Sequence, residues 1–157
     1  MEISIRVAKP EDAEIVCKFI DELAVYEREP EAVMATPAAL RAQMENANPP
    51  FECLLVEVEG RPVGFALFYQ KYSTWQGKPG MHLEDIFVRE EYRGIGAGKA
   101  LWKGLAQIVK DRGYPYIDFW ILDWNEVSIR FHQSLGAMPL AEFSIWRIYR
   151  EALRPIG

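Results

Sequence analysis

"EEYRGIGAGKALWKGLA", residues 90–106, places Gly94, Gly96 and Gly98 directly after Arg93 and directly before a helical pattern. Glycine loses more backbone entropy on folding than any other residue and has no side chain to pack. Three of them at a helix start need a reason, and an anion site supplies one. The first amides of a helix have no partner inside it, and the dipole favours negative charge there. Glycines let the backbone approach the anion and take positive φ. Arg93 adds a fork of donors suited to phosphate. A P-loop, G-x-x-x-x-G-K-[ST], is excluded: counting back from Gly98-Lys99, Arg93 holds the first glycine position and Ala100 the Ser/Thr position. A dinucleotide fingerprint, G-x-G-x-x-G, fails because its third glycine falls on Lys99. What remains is R-x-x-G-x-G, carried by Arg93, Gly96 and Gly98.

The flanking segments give this motif a setting. "MHLEDIFV" (81–88) reads as the strand before it, and Leu101, Leu105, Ile108 and Val109 form one face of the helix after it, closed near Gly113. Towards the N-terminus, "ISIRVA" (3–8) alternates as a strand, and Pro10, Glu11 and Asp12 open a helix with an apolar face of Ile15, Val16, Phe19, Ile20 and Leu23. "YEREPEAV" (26–33) is a loop, and Thr36-Pro37 starts a second helix that runs to about Glu45. "FECLLVEVEGRPVGFALFYQKY" (51–72) is a hairpin around Gly60, and "STWQGKPG" (73–80) a loop. Towards the C-terminus, "YIDFWIL" (116–122) is a strand, "WNEVSIRFHQSLGA" (124–137) a helix capped by Asn125 and ended by Gly136, and "EFSIWRIYR" (142–150) a last strand. The order β-α-α-β-β-β-α-β-α-β is neither strict βαβ alternation nor all-β. It predicts an α+β fold, a mixed sheet with helices on its faces, built as a single domain over 1–157.

The 157 residues suffice for one domain with a real core, and half of them are apolar. A net charge of -5 argues against nucleic acid, which wants a basic face. Cys17 and Cys53 lack zinc spacing and sit in apolar runs, which makes them buried small hydrophobes. No signal pattern opens the chain, and no apolar run approaches a membrane span, so a reducing cytoplasm is expected. His82 and His132 stand far apart with no ligand pattern, and no metal is expected.

R-x-x-G-x-G between a strand and a helix resembles the acetyl-CoA pyrophosphate motif of the GNAT (Gcn5-related) N-acetyltransferase superfamily, and the element order resembles that acyl-CoA N-acyltransferase fold from first strand to last. More narrowly, "HLEDIFVREEYRGIGAGKAL", "LDWNEVSIRFHQSLGA" and "LAVYE" are similar to the diamine acetyltransferases of the spermidine/spermine and thialysine types. The resemblance implies that Ile86, Phe87 and Val88 pair with the pantetheine arm like an added strand. It places the pyrophosphate on Arg93 and the amides of Gly94, Ile95, Gly96, Ala97, Gly98 and Lys99. Asn125, Glu126, Val127 and Ser128 would border the other side of the cofactor; Asn125 serves as a helix cap on either reading.

The implied chemistry is attack of an amine on a thioester. An alkyl ammonium, with a pKa of about 10, is not a nucleophile, so a base must take its proton. Glu84 holds the position of the family's glutamate. Asp85 follows it and, on a regular strand, points to the opposite face. The family commonly protonates the departing thiolate with a tyrosine on the helix after "WNE"; here "SIRFHQ" puts His132 there, with Tyr92 and Tyr149 as weaker replacements. Histidine can donate near neutral pH, or the thiolate can leave unaided. Tyr26 and Glu27 match the polyamine-contacting pair after the first helix, and Trp75 an aromatic before the catalytic strand, the groups an ammonium wants together with Glu84 and Asp85. "YSTW", with Ser73 where the spermidine/spermine type is acidic, resembles the thialysine branch and favours a shorter amine. The expectation is an acetyl-CoA-dependent transferase, homodimeric as the family usually is, acting on a primary amine of a small molecule without a covalent acyl-enzyme. A peptide or aminoglycoside acceptor, or a CoA-binding sensor without turnover, is the alternative.

Overall fold

In a computed structural model of the chain, residues 1–156 are described. They divide into two compact units, one running from Met1 to Trp120 and the other beginning at Ile121. The first unit is built on a five-stranded sheet in the order β1-β2-β3-β4-β5, comprising β1 (Ile3–Val7), β2 (Glu52–Val58), β3 (Arg61–Ser73), β4 (Lys78–Val88) and β5 (Ile117–Phe119). All neighbours are antiparallel except β4 and β5, which run parallel. The sheet is therefore mixed and mostly antiparallel, as the element order predicts.

The β2–β3 turn follows from its two residues. Glu59 and Gly60 both have positive φ (50° and 76°), the backbone that lets a two-residue hairpin loop follow the twist of its strands. Beyond it, β3 and β4 extend further than the sequence suggests. Their ladder runs out to Ser73 and Lys78, so the predicted loop 73–80 shrinks to the tip at 74–77.

Helices cover both faces. On one side α3 (Ala97–Arg112) lays Leu101 and Leu105, both fully buried, against Leu54, Val56, Ala66, Phe68, Met81 and Leu83. Each such leucine stabilises the fold by roughly 1.5–3 kcal/mol. A Cβ on Gly104 would meet Leu54 Cδ1 at 2.9 Å, so the missing side chain is what seats this helix on β2. On the other side α1 (Ala13–Tyr26) and α2 (Pro37–Met44) bury Val16, Phe19, Leu23 and Leu40 against Leu55, Phe65, Leu67 and Phe87. The Thr36 hydroxyl caps α2 by accepting from the Ala39 amide at 3.2 Å, and Gly113 ends α3 in the left-handed conformation. Cys17 and Cys53 are buried free thiols. No helix among the described residues is long and apolar enough to cross a membrane.

In the second unit, α4 (Glu126–Ser134) begins at Asn125, whose side chain accepts from the Ser128 amide at 3.2 Å. Gly136 follows the helix with φ 95°. Two sequence expectations fail near here. The strand expected over 116–122 is only three residues long, Ile117–Phe119. The strand expected over 142–150 does not form: residues 143–149 have no regular structure, and Phe143, Ile145, Trp146, Ile148 and Tyr149 are exposed. Residues with strand propensity become a strand only beside another strand, because that propensity is mainly cross-strand packing.

Candidate active site

Register decides the geometry of β4. Phe68 pairs with Leu83, yet its neighbour Leu67 pairs with Asp85, so Glu84 is an extra residue with no partner across the ladder. Such a bulge bends a strand and re-aims its side chains. Before it, the odd residues Met81 and Leu83 face α3; after it, the even residues Ile86 and Val88 do. Phe87 faces α1.

The expectation that Asp85 opposes Glu84 is thereby corrected. Asp85 shares its face with its partner Leu67 and with Phe87, on the α1 side. His82, paired with Tyr69, lies on the same side, and its Nε2 is 3.4 Å from Oε2 of Glu84. The bulge thus turns two consecutive carboxylates towards one side of the sheet. Burial raises Asp85 to about 7, and the charges of Glu84 and Glu27 add to the shift. Burial also holds Glu27, the residue that ends α1, above the usual carboxylate range. Among the described residues no lysine or arginine pairs with Asp85.

The bulge also ends the β4–β5 ladder. Pairing stops at Leu83 with Phe119, and among the described residues no strand flanks Ile86–Val88 on that side. An extended chain can add to such an edge. The glycine turn follows. Gly94 and Gly96 have φ of 77° and 99°, and an added Cβ would meet nothing within 4 Å at either. Both are therefore required by backbone conformation and not by crowding. Gly96 is the N-cap of α3 and has no side chain with which to cap it. The first turn contains Lys99 and no acid, a composition that opposes the dipole unless an anion binds there. Phosphates fit this cradle.

Arg93 spans two groups that the sequence assigns to different ligands. Its Nε donates to the Val88 carbonyl at 2.7 Å, and its guanidinium lies 5.0 Å from the ring centre of Tyr26 and 5.6 Å from that of Phe87. A cleft of about 590 Å³ opens here, lined by Tyr26, Phe87, Arg89 and Arg93 among others. Trp75 is not brought to these groups. It stands at the β3–β4 tip, 91% exposed, about 17 Å along β3 from the bulge.

In the second unit His132 is 4% exposed. Its Nδ1 donates to the Ser128 carbonyl at 2.8 Å, and burial lowers its pKa. The ring is neutral at pH 7, with Nε2 as the acceptor. Glu126 and Val127 are exposed on the first turn of α4.

Three residues escaped the sequence reading. Asp118 faces His82 from β5, Lys71 pairs with Asp118 at 2.7 Å, and the ring of Tyr69 packs at a tilt against His82. The signals were an acid inside the apolar run "YIDFWIL" and a histidine two positions before Glu84, hence on one strand face.

The acetyltransferase (GNAT) family matches residues 18–137, and the chain belongs to it. It is therefore an N-acetyltransferase, of a family whose co-substrate is acetyl-CoA. Thialysine N-epsilon-acetyltransferase of Sus scrofa is 38% identical, over 99% of this chain and 97% of the relative. Spermidine/spermine N(1)-acetyltransferase-like protein 1 of Homo sapiens is 34% identical over 93% of this chain and 22% of its own length. Among solved structures, an integron cassette protein from the mobile metagenome of V. cholerae shares the fold, with a TM-score of 0.80 at 21% identity over 99% of this chain and 98% of that one.

Proposed function

We propose that the chain moves the acetyl group of acetyl-CoA directly to a primary amine of a small molecule, a diamine, polyamine or thialysine-like amino acid, in a ternary complex. The observation that carries this reading is the cluster of carboxylates at the bulge. Burial together with the charges of Glu84 and Glu27 raises Asp85's cost of ionisation, and a cationic amine beside Tyr26 would relieve it. The relatives named above, thialysine and spermidine/spermine-like transferases, support the same class of acceptor.

Acetyl-CoA supplies an acetyl thioester when bound. The amides of residues 94–99 would hold its pyrophosphate and the edge of Ile86–Val88 its pantetheine arm. Tyr26, Glu27 and Asp85 hold the ammonium. Glu84, half-exposed at the bulge, takes the proton that the amine must lose before it can attack. His132 would have to gain a proton at Nε2 before giving one to the thiolate. A His132→Phe variant with kcat lowered about tenfold or more supports that role, and unchanged kcat means that the thiolate leaves unaided.

We read the chain as a single domain of a cytoplasmic homodimer. Support for one domain is a family match that crosses from the first unit into the second. Support for the dimer is the run 143–149, apolar on both alternating faces, as in a strand enclosed by a sheet.

Release of free CoA thiol from acetyl-CoA, across diamines, spermidine, thialysine, lysine, aminoglycosides and short peptides, tests the function. Fast release with one short amine is expected. Glu84→Gln is expected to lower kcat about a hundredfold while acetyl-CoA still binds. Release with peptides alone would overturn the acceptor, and an unchanged Glu84→Gln rate would remove Glu84 as the base.

A further inference from the structure

His82 is 5% exposed and lies between the rings of Tyr69, at 5.1 Å, and Trp120, at 5.4 Å. Its Nδ1 is 2.8 Å from Oδ1 of Asp118, and its Nε2 is 3.4 Å from Oε2 of Glu84. A carboxylate only accepts, so Nδ1 is the donor to Asp118. The other oxygen of Asp118 accepts from Nζ of Lys71 at 2.7 Å, which pins the carboxylate and through it the ring. In its neutral form the ring then turns the Nε2 lone pair towards Glu84. That lone pair opposes a carboxylate and suits a carboxylic acid. The pocket is thus built for Glu84 after it has gained a proton.

We propose that His82 is a positioning residue and proton acceptor behind Glu84, a proposal that rests on the reading of Glu84 as the base. The amine's proton passes first to a Glu84 carboxylate oxygen. The resulting O–H then gives it to Nε2 of His82. The imidazolium is held between Asp118 and the restored Glu84 carboxylate, and the amine keeps its lone pair for attack. No oxidant or further reactant is needed. Glu84 from β4, Asp118 from β5, and Tyr69 and Lys71 from β3 are the titratable groups facing the ring. Asp85 is the next carboxylate along β4, and Trp120 contributes only its ring, in a T-shaped contact.

Two measurements test this. The first is kcat and KM against pH with acetyl-CoA and thialysine, for wild type, His82→Asn, Asp118→Asn and Glu84→Gln. His82→Asn keeps a donor towards Asp118 but cannot carry the proton. Asp118→Asn leaves the ring and its packing in place, should His82→Asn fold poorly. Expected are a kcat lowered about tenfold or more in both, a displaced acid limb of the pH profile, and an unchanged KM for acetyl-CoA. Adding His82→Asn to Glu84→Gln should cost nothing further, because one residue acts through the other. The second is 15N NMR of the ring, which needs no turnover; the chain has two histidines, so a His132→Phe variant assigns them. The proton is expected on Nδ1 of neutral His82, and the ring signals should move in Glu84→Gln. A wild-type pH profile in His82→Asn, a further fall on the Glu84→Gln background, or ring signals that ignore Glu84→Gln would overturn the proposal. Full turnover by Glu84→Gln would instead sink the reading of Glu84 itself, a different result from a silent His82.

Discussion

Asp85 keeps its proton to about pH 7 because burial first, and then Glu84 and Glu27, penalise its charge. Its folded value lies above the unfolded one of 3.8. The native state therefore binds more protons between the two values, and stability falls as pH rises through that window. The difference corresponds to at most about 4 kcal/mol. Asp85→Asn should accordingly gain stability over wild type as pH rises from about 4 to 8, with the gain levelling off above 7. Urea unfolding at a series of pH values measures it, and parallel curves would mean that Asp85 ionises freely in the fold. If an ammonium is the natural partner of this carboxylate, the same variant should raise KM for the amine. Its KM for acetyl-CoA should not change.

Two elements, a bulge and a turn, make the site out of ordinary strands and helices. Past the bulge, where Gly64 pairs with Val88, β3 and β4 approach closely. A Cβ on Gly64 would clash with the Phe87 carbonyl, so glycine is what permits the ladder to continue past Asp85. In the turn, Gly96 takes the left-handed backbone that begins α3, whose first amides have no partner within the helix. Gly96→Ala should cost about 1–2 kcal/mol through backbone strain, since no neighbour crowds the new methyl. If that conformation forms the phosphate cradle, the Kd for acetyl-CoA should rise about tenfold. Gly77→Ala is the control. Gly77 has φ 67°, equally open space and a position at the hairpin tip, so it should lose similar stability with Kd unmoved. Equal changes in Kd for the two variants would mean that the turn is structural only.

Among the described residues of the whole molecule, the last apolar run, 143–149, has no regular structure. Trp146 is 90% exposed, in a row with Phe143, Ile145, Ile148 and Tyr149. Exposed apolar side chains gathered in one run suit an interaction surface. Sedimentation should give twice the chain mass, and Trp146→Asp should give the chain mass. A wild-type monomer at micromolar concentration would leave the run to another partner.

The sequence by itself determined the element order as far as α4 and the glycine turn, because these rest on local chemistry: periodicity, caps, and the spacing of Arg93, Gly96 and Gly98; the family followed from the resemblance those residues carry. It also singled out Glu84. It misjudged Asp85 because strand alternation assumes an unbroken ladder. The extra residue at 84 is visible only once Leu67 and Phe68 have chosen partners on β4. For the same reason His82 was legible as a strand residue but not as the bridge between Glu84 and Asp118. That contact joins positions 36 residues apart through the parallel pairing of β4 with β5. The stretch 142–150 shows the converse, strand-forming residues that form no strand among the described residues. Local propensity fixes what a segment can become, and register and partners, which only the tertiary structure supplies, fix what it meets.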